Sequence, residues 1–142
     1  MTEVEICCDL NHPNLVRLLG YADRPRLMIV QELLRGGSVD QQLYAEGWRP
    51  SHDEVRKAAL DVARGMEYLH TMFATADDNH GQPIIHRDLK TPNLMLATRP
   101  KDGEGVVVKV TDFGLSRDKA LNVNQSQTAM MTGCGKRSPK TL

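Results

Sequence analysis

Aromatic residues are scarce in this chain: one Trp, three Tyr and two Phe make up 4% of its 142 residues. A core without many large rings must rest on Leu, Val, Ile, Ala and Met. Cysteine is nearly absent as well. Cys7, Cys8 and Cys134 are odd in number and lack the spacing of a disulfide framework or a zinc site, so they read as reduced intracellular thiols. An excess of one charge is missing too, since 18 Lys and Arg balance 18 Asp and Glu. Bulk electrostatics therefore points to no nucleic-acid partner and to no anionic membrane surface. No apolar run approaches the ~20 residues of a membrane span. The first residues mix acidic and apolar types where a leader would place a basic stretch before an apolar run, so no membrane span and no secretory signal are expected. What remains is a globular chain, 40% hydrophobic and 25% charged, long enough for one domain and placed by default in the cytoplasm.

Periodicity predicts a mixed α+β order. Val4, Ile6, Cys7 and Leu10 suggest the end of an amphipathic helix, stopped by Asn11-His12-Pro13-Asn14. Residues 15–21 and 27–32 read as strands joined by a turn. Ser38 with Gln41, and Ser51 with Glu54, have capping-box spacing. The first opens a short helix. The second opens a long one over about 52–71, with Val55, Ala59, Val62, Met66 and Leu69 as one apolar stripe. Residues 75–83 are polar and turn-rich, hence a loop. Residues 94–96 and 106–110 look like short strands around a polar insertion at 98–105. Beyond residue 114 the chain turns polar, and residues 136–142 form a basic tail.

Two motifs carry the chemistry. His86-Arg87-Asp88-Leu89-Lys90-Thr91-Pro92-Asn93 is one, and Asp112-Phe113-Gly114, with its Asp 24 residues after Asp88, is the other. Asp-Phe-Gly alone is uninformative; the octapeptide and the tripeptide in this order are not. Phosphoryl transfer moves negative charge among phosphate oxygens, and its catalysts supply a carboxylate near the nucleophile, a cation, and hard oxygen ligands for a metal. Two carboxylates, a lysine and an amide are residue types of that kind. A phosphate loop at residues 133–136 fails, because Met130 and Arg137 break its pattern. His70, His80 and His86 have no zinc-like spacing.

On these motifs the chain resembles a protein kinase catalytic domain. The resemblance implies a two-lobed kinase fold, incomplete here, with residues 1–34 as small-lobe remnant and hinge, 35–135 as part of the large lobe, and 136–142 as an aberrant tail. It implies ATP and Mg²⁺ as cofactors and a protein Ser or Thr hydroxyl as acceptor; Lys90 favours Ser/Thr over Tyr. Asp88 would accept or orient the substrate proton, Lys90 would meet the transferring phosphate, and Asn93 and Asp112 would hold the metal. His86 would be structural. Glu32-Leu33-Leu34 matches the hinge, with Gln31 as gatekeeper and Leu34 as backbone partner of adenine, and Leu96 would lie beneath the ring. Glu3 matches the helix C glutamate. Arg87 resembles the arginine that docks a phosphorylated activation segment, and Phe113 and Gly114 would let that segment swing. Ser126, Thr128 and Thr132 are possible phosphoacceptors. His12-Pro13-Asn14 and Thr132-Gly133-Cys134-Gly135 look like the Raf-like, tyrosine-kinase-like group.

The sequence departs from the family at both ends. No glycine-rich loop or strand lysine precedes Glu3, and residues 136–142 replace the expected Ala-Pro-Glu segment. These departures predict a fragment with little activity of its own. The alternative is a non-catalytic, kinase-derived binding fragment. The sequence carries no signal of oligomeric state.

Overall fold

The computed structural model describes residues 10–22, 28–71, 84–112 and 132–133. Five strands and two helices appear among them. They are β1 (Leu18–Ala22), β2 (Met28–Gln31), helix α1 (Val39–Tyr44), helix α2 (His52–Thr71), β3 (Leu94–Leu96), β4 (Val108–Val110) and β5 (Thr132–Gly133), with short 3-10 turns at Thr91–Asn93 and Pro100–Asp102. The expected α+β class holds. β2, β1 and β5 form one antiparallel sheet in that order, and β3 and β4 form a second, antiparallel pair.

Both predicted serine N-caps form, and the reciprocal box is complete at the second. Ser38 Oγ accepts the Gln41 N–H at the start of α1. At α2, Glu54 accepts the Ser51 N–H at 2.7 Å while Ser51 Oγ accepts the Glu54 N–H at 3.3 Å. Two orphan amide donors are thus satisfied reciprocally, which is why the helix starts at His52.

The predicted strand at 15–21 begins late. Leu15 and Val16 turn away from β2 to meet β4: Leu15 bridges Val110 in parallel, and the Val16 N–H donates to Val110 O at 2.9 Å. The chain joins β2 only from Leu18. The polar stretch after residue 114 also differs from expectation, because Thr132 and Gly133 pair with Tyr21 and Gly20. That pairing uses the β1 edge that a two-stranded sheet would leave open.

The core is aliphatic, as the scarcity of rings requires. Leu10, Leu15, Leu18, Leu69 and Val110 form one cluster, and Leu96, Val106 and Val108 the other. Val62 and Leu94 pack against both. The predicted stripe on α2 is right only at its C-terminal end. Leu69 is buried and Val62 and Met66 pack on the core, but Val55 is 51% exposed and Ala59 is exposed. The face that packs passes through Asp61 and Gly65 instead. Asp61 is buried, accepts the Val108 N–H at 3.0 Å, and takes Lys57 Nζ at 2.5 and 2.6 Å. A buried carboxylate is tolerated because a cation and a backbone donor both meet it. Gly65 lets α2 approach the chain entering β1: a Cβ there would stand 2.7 Å from Asn14 O and 3.2 Å from Leu15 Cδ2.

Residues 11–14 seat this packing. The His12 ring stacks on Tyr68 with centroids 4.9 Å apart, and its Nδ1 accepts the Asn14 N–H at 3.1 Å. Asn14, buried, donates from Nδ2 to Val108 O at 3.0 Å and accepts the Val110 N–H at its own carbonyl. Burial, then the nearby Arg64 charge, lower the His12 pKa from its ordinary 6.5, although Glu67 pulls the other way.

Two outcomes follow. Gly65→Ala gains intrinsic helix propensity of up to ~1 kcal/mol yet loses more to overpacking against the Asn14 carbonyl, so chemical denaturation should show a net loss of about 1–2 kcal/mol; a stabilised variant would refute the close approach. Because the unfolded chain protonates His12 more readily than the folded one, its contribution is present above pH 6.5 and lost as pH falls below it. Melting temperatures from pH 7.5 to 5 should therefore fall more steeply for the parent than for His12→Asn.

Candidate active site

The site is assembled where β4 ends beside the loop at residues 86–93. Thr111, the residue after β4, has both backbone groups committed to that loop. Its N–H donates to Asn93 O at 3.0 Å, and its carbonyl accepts from His86 Nε2 at 2.8 Å. His86 Nδ1 in turn accepts the Asp88 N–H at 3.3 Å. A carbonyl can only accept and an amide can only donate, so these partners require the neutral imidazole with its proton on Nε2. His86 is 1% exposed and acts as a structural bridge between Asp88 and Asp112, as the resemblance implies.

Asn93 ties the loop to itself. Its Nδ2 donates to Asp88 O at 2.8 Å and to Asp88 Oδ2 at 3.3 Å. Two acceptors on one side fix the amide orientation and leave Oδ1 as its remaining lone-pair group. Lys90 Nζ lies 2.8 Å from Asp88 Oδ2, with both side chains about half exposed. Oδ2 is therefore held by two donors, while no donor among the described residues meets Oδ1. The Lys90 hydrogen bond is the chief reason that the Asp88 pKa is lowered; loss of hydration opposes it, and the charge of Lys90 and the Asn93 amide reinforce it. Asp88 is ionised at neutral pH.

Two non-glycine residues at the site have left-handed backbones, Arg87 at φ 63° and Asp112 at φ 60°. Such conformations cost of order 1–3 kcal/mol and persist where surrounding bonds over-determine them, as the His86 and Thr111 bonds do here. Both residues are exposed. A second tether joins the loop to α1, where Thr91 Oγ1 donates to Asp40 at 3.0 Å.

Comparisons with known proteins show the family. The family model for protein tyrosine and serine/threonine kinases matches residues 1–137. The chain is a protein kinase family member. It is 42% identical over 135 residues to serine/threonine-protein kinase CTR1 of Arabidopsis thaliana, covering 93% of this chain and 15% of the relative. It is 41% identical over 133 residues to serine/threonine-protein kinase VIK of the same plant, covering 92% and 27%. Calcium/calmodulin-regulated receptor-like kinase 1 is 38% identical over 123 residues, covering 85% and 25%. The chain therefore spans between about a seventh and about a quarter of these relatives.

Residues 32–34, expected as the hinge, follow β2. Glu32 is fixed on both sides: its carboxylate accepts from Lys109 Nζ at 2.7 Å and from the Arg17 N–H at 2.8 Å, and its own N–H donates to Arg17 O. Burial is the largest single influence on its pKa and would raise it, but the Lys109 and Arg17 bonds and charges together outweigh burial and lower it. The Leu34 N–H has no protein acceptor among the described residues, whereas Leu34 O takes the Gly37 N–H.

Leu96 is not where it was expected. It is 0% exposed and packs with Val106 and Val108 in the core, so its side chain cannot lie against a ligand. Strand alternation puts Met95 on the opposite face, in register with Lys109, whose ammonium reaches Glu32. Met95 therefore shares the face of Lys109 rather than that of Leu96. Period-two alternation from Asn93 could have identified it. Sequence reasoning also missed Asp40 and Asp61, which look like ordinary helix carboxylates until their partners are seen. Glu3, Phe113, Gly114, Ser126 and Thr128 lie outside the described residues, and of Thr132 the backbone pairing alone is described. Among the described residues no helix is long and apolar enough to cross a membrane, and no group of three His, Cys, Asp or Glu forms a metal cluster.

Replacing His86 with Phe keeps most of the volume but strands the Thr111 carbonyl and the Asp88 amide. With about 1–3 kcal/mol for the buried Thr111 carbonyl and less for the part-exposed Asp88 amide, denaturation should show a loss of about 2–3 kcal/mol. An unchanged stability would mean that the bridge does not hold the loop.

Proposed function

We propose that this chain carries the nucleotide and phosphoryl-transfer residues of a serine/threonine protein kinase, with ATP as donor, Mg²⁺ as the accompanying metal and a protein hydroxyl as acceptor. The observation that carries this reading is the double commitment of Thr111, which brings Asp112 beside the loop of Asp88 and Asn93. The donor set suits a hard cation. The Asn93 amide oxygen and the exposed Asp112 carboxylate are oxygen ligands, and Mg²⁺ commonly takes one or two such groups together with substrate phosphates. When bound, the metal supplies charge neutralisation at those phosphates.

The chain's own residues do the rest. Asp88 Oδ1 is the available acceptor for a substrate hydroxyl, while Lys90 and Asn93 hold Oδ2 and set its direction. A carboxylate of lowered pKa is a weak base, so its main contribution is orientation, with the proton arriving late in transfer. Lys90 is exposed enough to leave Asp88 for a phosphate oxygen. The Leu34 N–H offers adenine a hydrogen bond, and Met95, rather than Leu96, offers the apolar surface. Arg87 is an exposed cation adjacent to the site, suited to a phosphorylated segment. Lys90 and relatives named as serine/threonine kinases favour Ser/Thr over Tyr, and residues 12–14 and 132–135 favour the Raf-like group. ATP chemistry and cysteines without the spacing of a disulfide framework favour a cytoplasmic setting.

Calorimetry with ATP, with and without Mg²⁺, tests the binding half. Asp112→Asn should abolish the metal-dependent part of binding, and Asp88→Asn should retain it. In transfer assays on Ser/Thr peptides, Asp88→Asn should lower whatever rate the parent shows by about 10²-fold or more. Metal-independent binding that Asp112→Asn leaves intact would overturn the assignment.

A further inference from the structure

We propose that a trough behind the hinge, separate from the catalytic loop, binds a short acidic peptide segment of a partner protein. The trough consists of two adjoining cavities. One, of about 410 Å³, lies between the hinge residues 33–37, α1 and the insertion that carries Arg99 and Lys101. The other, of about 290 Å³, shares Gln42, Glu46 and Lys101 with it and continues to Trp48 and Arg49. Neither is lined by Asp88, Lys90, Asn93, Met95 or Asp112; the first shares Leu34 with the proposed adenine edge.

The charge of this surface is not that of the chain. The whole sequence is neutral, yet Arg35, Arg49, Arg99 and Lys101 face only Glu46 and Glu54 here, four cations against two carboxylates. Glu54 is already occupied by the Ser51 cap. Arg49 is held by the Leu43 and Trp48 carbonyls. Arg35, Arg99 and Lys101 have no carboxylate partner among the described residues. Arg99 is steadied by a bond from Nε to Arg35 O at 3.4 Å, which sets its guanidinium beside the hinge. The floor is built as well: Gln42 is 8% exposed and donates from Nε2 to Gly36 O at 2.9 Å. Leu33, at the rim, is 87% exposed.

Four cations around a concave floor, two of them held by backbone carbonyls, with an apolar rim, match carboxylates that flank an aliphatic side chain. A few convergent cations around cavities of side-chain size do not form the long stripe that tracks a nucleic-acid backbone, nor a broad membrane-facing patch. The inference does not require phosphoryl transfer, so it stands or falls independently of the catalytic assignment.

Trp48 is the only tryptophan of the chain and lines the trough, which makes its fluorescence a local reporter. A decapeptide of Asp, Glu and Leu without Trp should change Trp48 emission saturably, and the effect should weaken as salt is raised. The same peptide with Lys in place of the acids should give no saturable change. The Arg99→Gln/Lys101→Gln double variant should bind about fivefold to tenfold more weakly, with an unchanged melting temperature showing that it folds. The proposal is overturned if the acidic and basic peptides respond alike or the double variant binds as tightly as the parent. Tighter binding of single-stranded RNA or of phosphatidylserine vesicles than of the acidic peptide would overturn it too.

Discussion

Thr111 holds the site together through its backbone alone. One side of its peptide gives a proton to Asn93 O and the other receives one from His86. Asp88 and Asp112 are 24 residues apart in sequence and sit on different segments. Together with the β3–β4 pairing, these two bonds fix one against the other. The left-handed backbones at Arg87 and Asp112 flank the same junction. The clamp offsets that strain, which is the usual relation between an unusual backbone and a functional position.

The clamp works only if β4 is itself fixed, and three independent groups fix it. β3 pairs with it along one edge. The backbone of Asn14 and Val16 bonds Val110 on the other side, and the Asn14 side chain takes Val108 O. The buried Asp61 carboxylate takes the Val108 N–H from α2. The Asn14 contacts need α2 and the residue 11–14 turn within touching distance, which the missing side chain at Gly65 permits. A chain poor in aromatics cannot rely on ring packing here. It combines aliphatic clusters with buried polar bonds, and no buried side-chain polar atom among the described residues lacks a partner.

Much of this was legible in the residues. The capping pairs set the helix starts, since a Ser followed three residues later by Gln or Glu satisfies amides locally. The catalytic motifs identified the family because their residue types and spacing are jointly specific. What was not legible depended on contacts between distant segments. Val55 and Ala59 fit a helical stripe, yet the buried face turns through Asp61 and Gly65, residues that a hydrophobicity pattern scores as polar or neutral. The late start of β1 reflects competition between β2 and β4 for the same backbone. Leu96 and Met95 are equally apolar, and only the direction of the pleat separates core from cleft.

The central claim is that Asn93 and Asp112 form one metal-nucleotide site, joined through Thr111. Nuclear magnetic resonance of the labelled chain with ATP and Mn²⁺ in place of Mg²⁺ tests it most directly, because the paramagnetic ion broadens only nearby signals. The account predicts that the Asn93 side-chain amide and the Thr111 and Asp112 backbone amides broaden together at low Mn²⁺. Broadening centred on other carboxylates, such as Glu46 or Asp53, with the Asn93 and Asp112 signals intact, would contradict it.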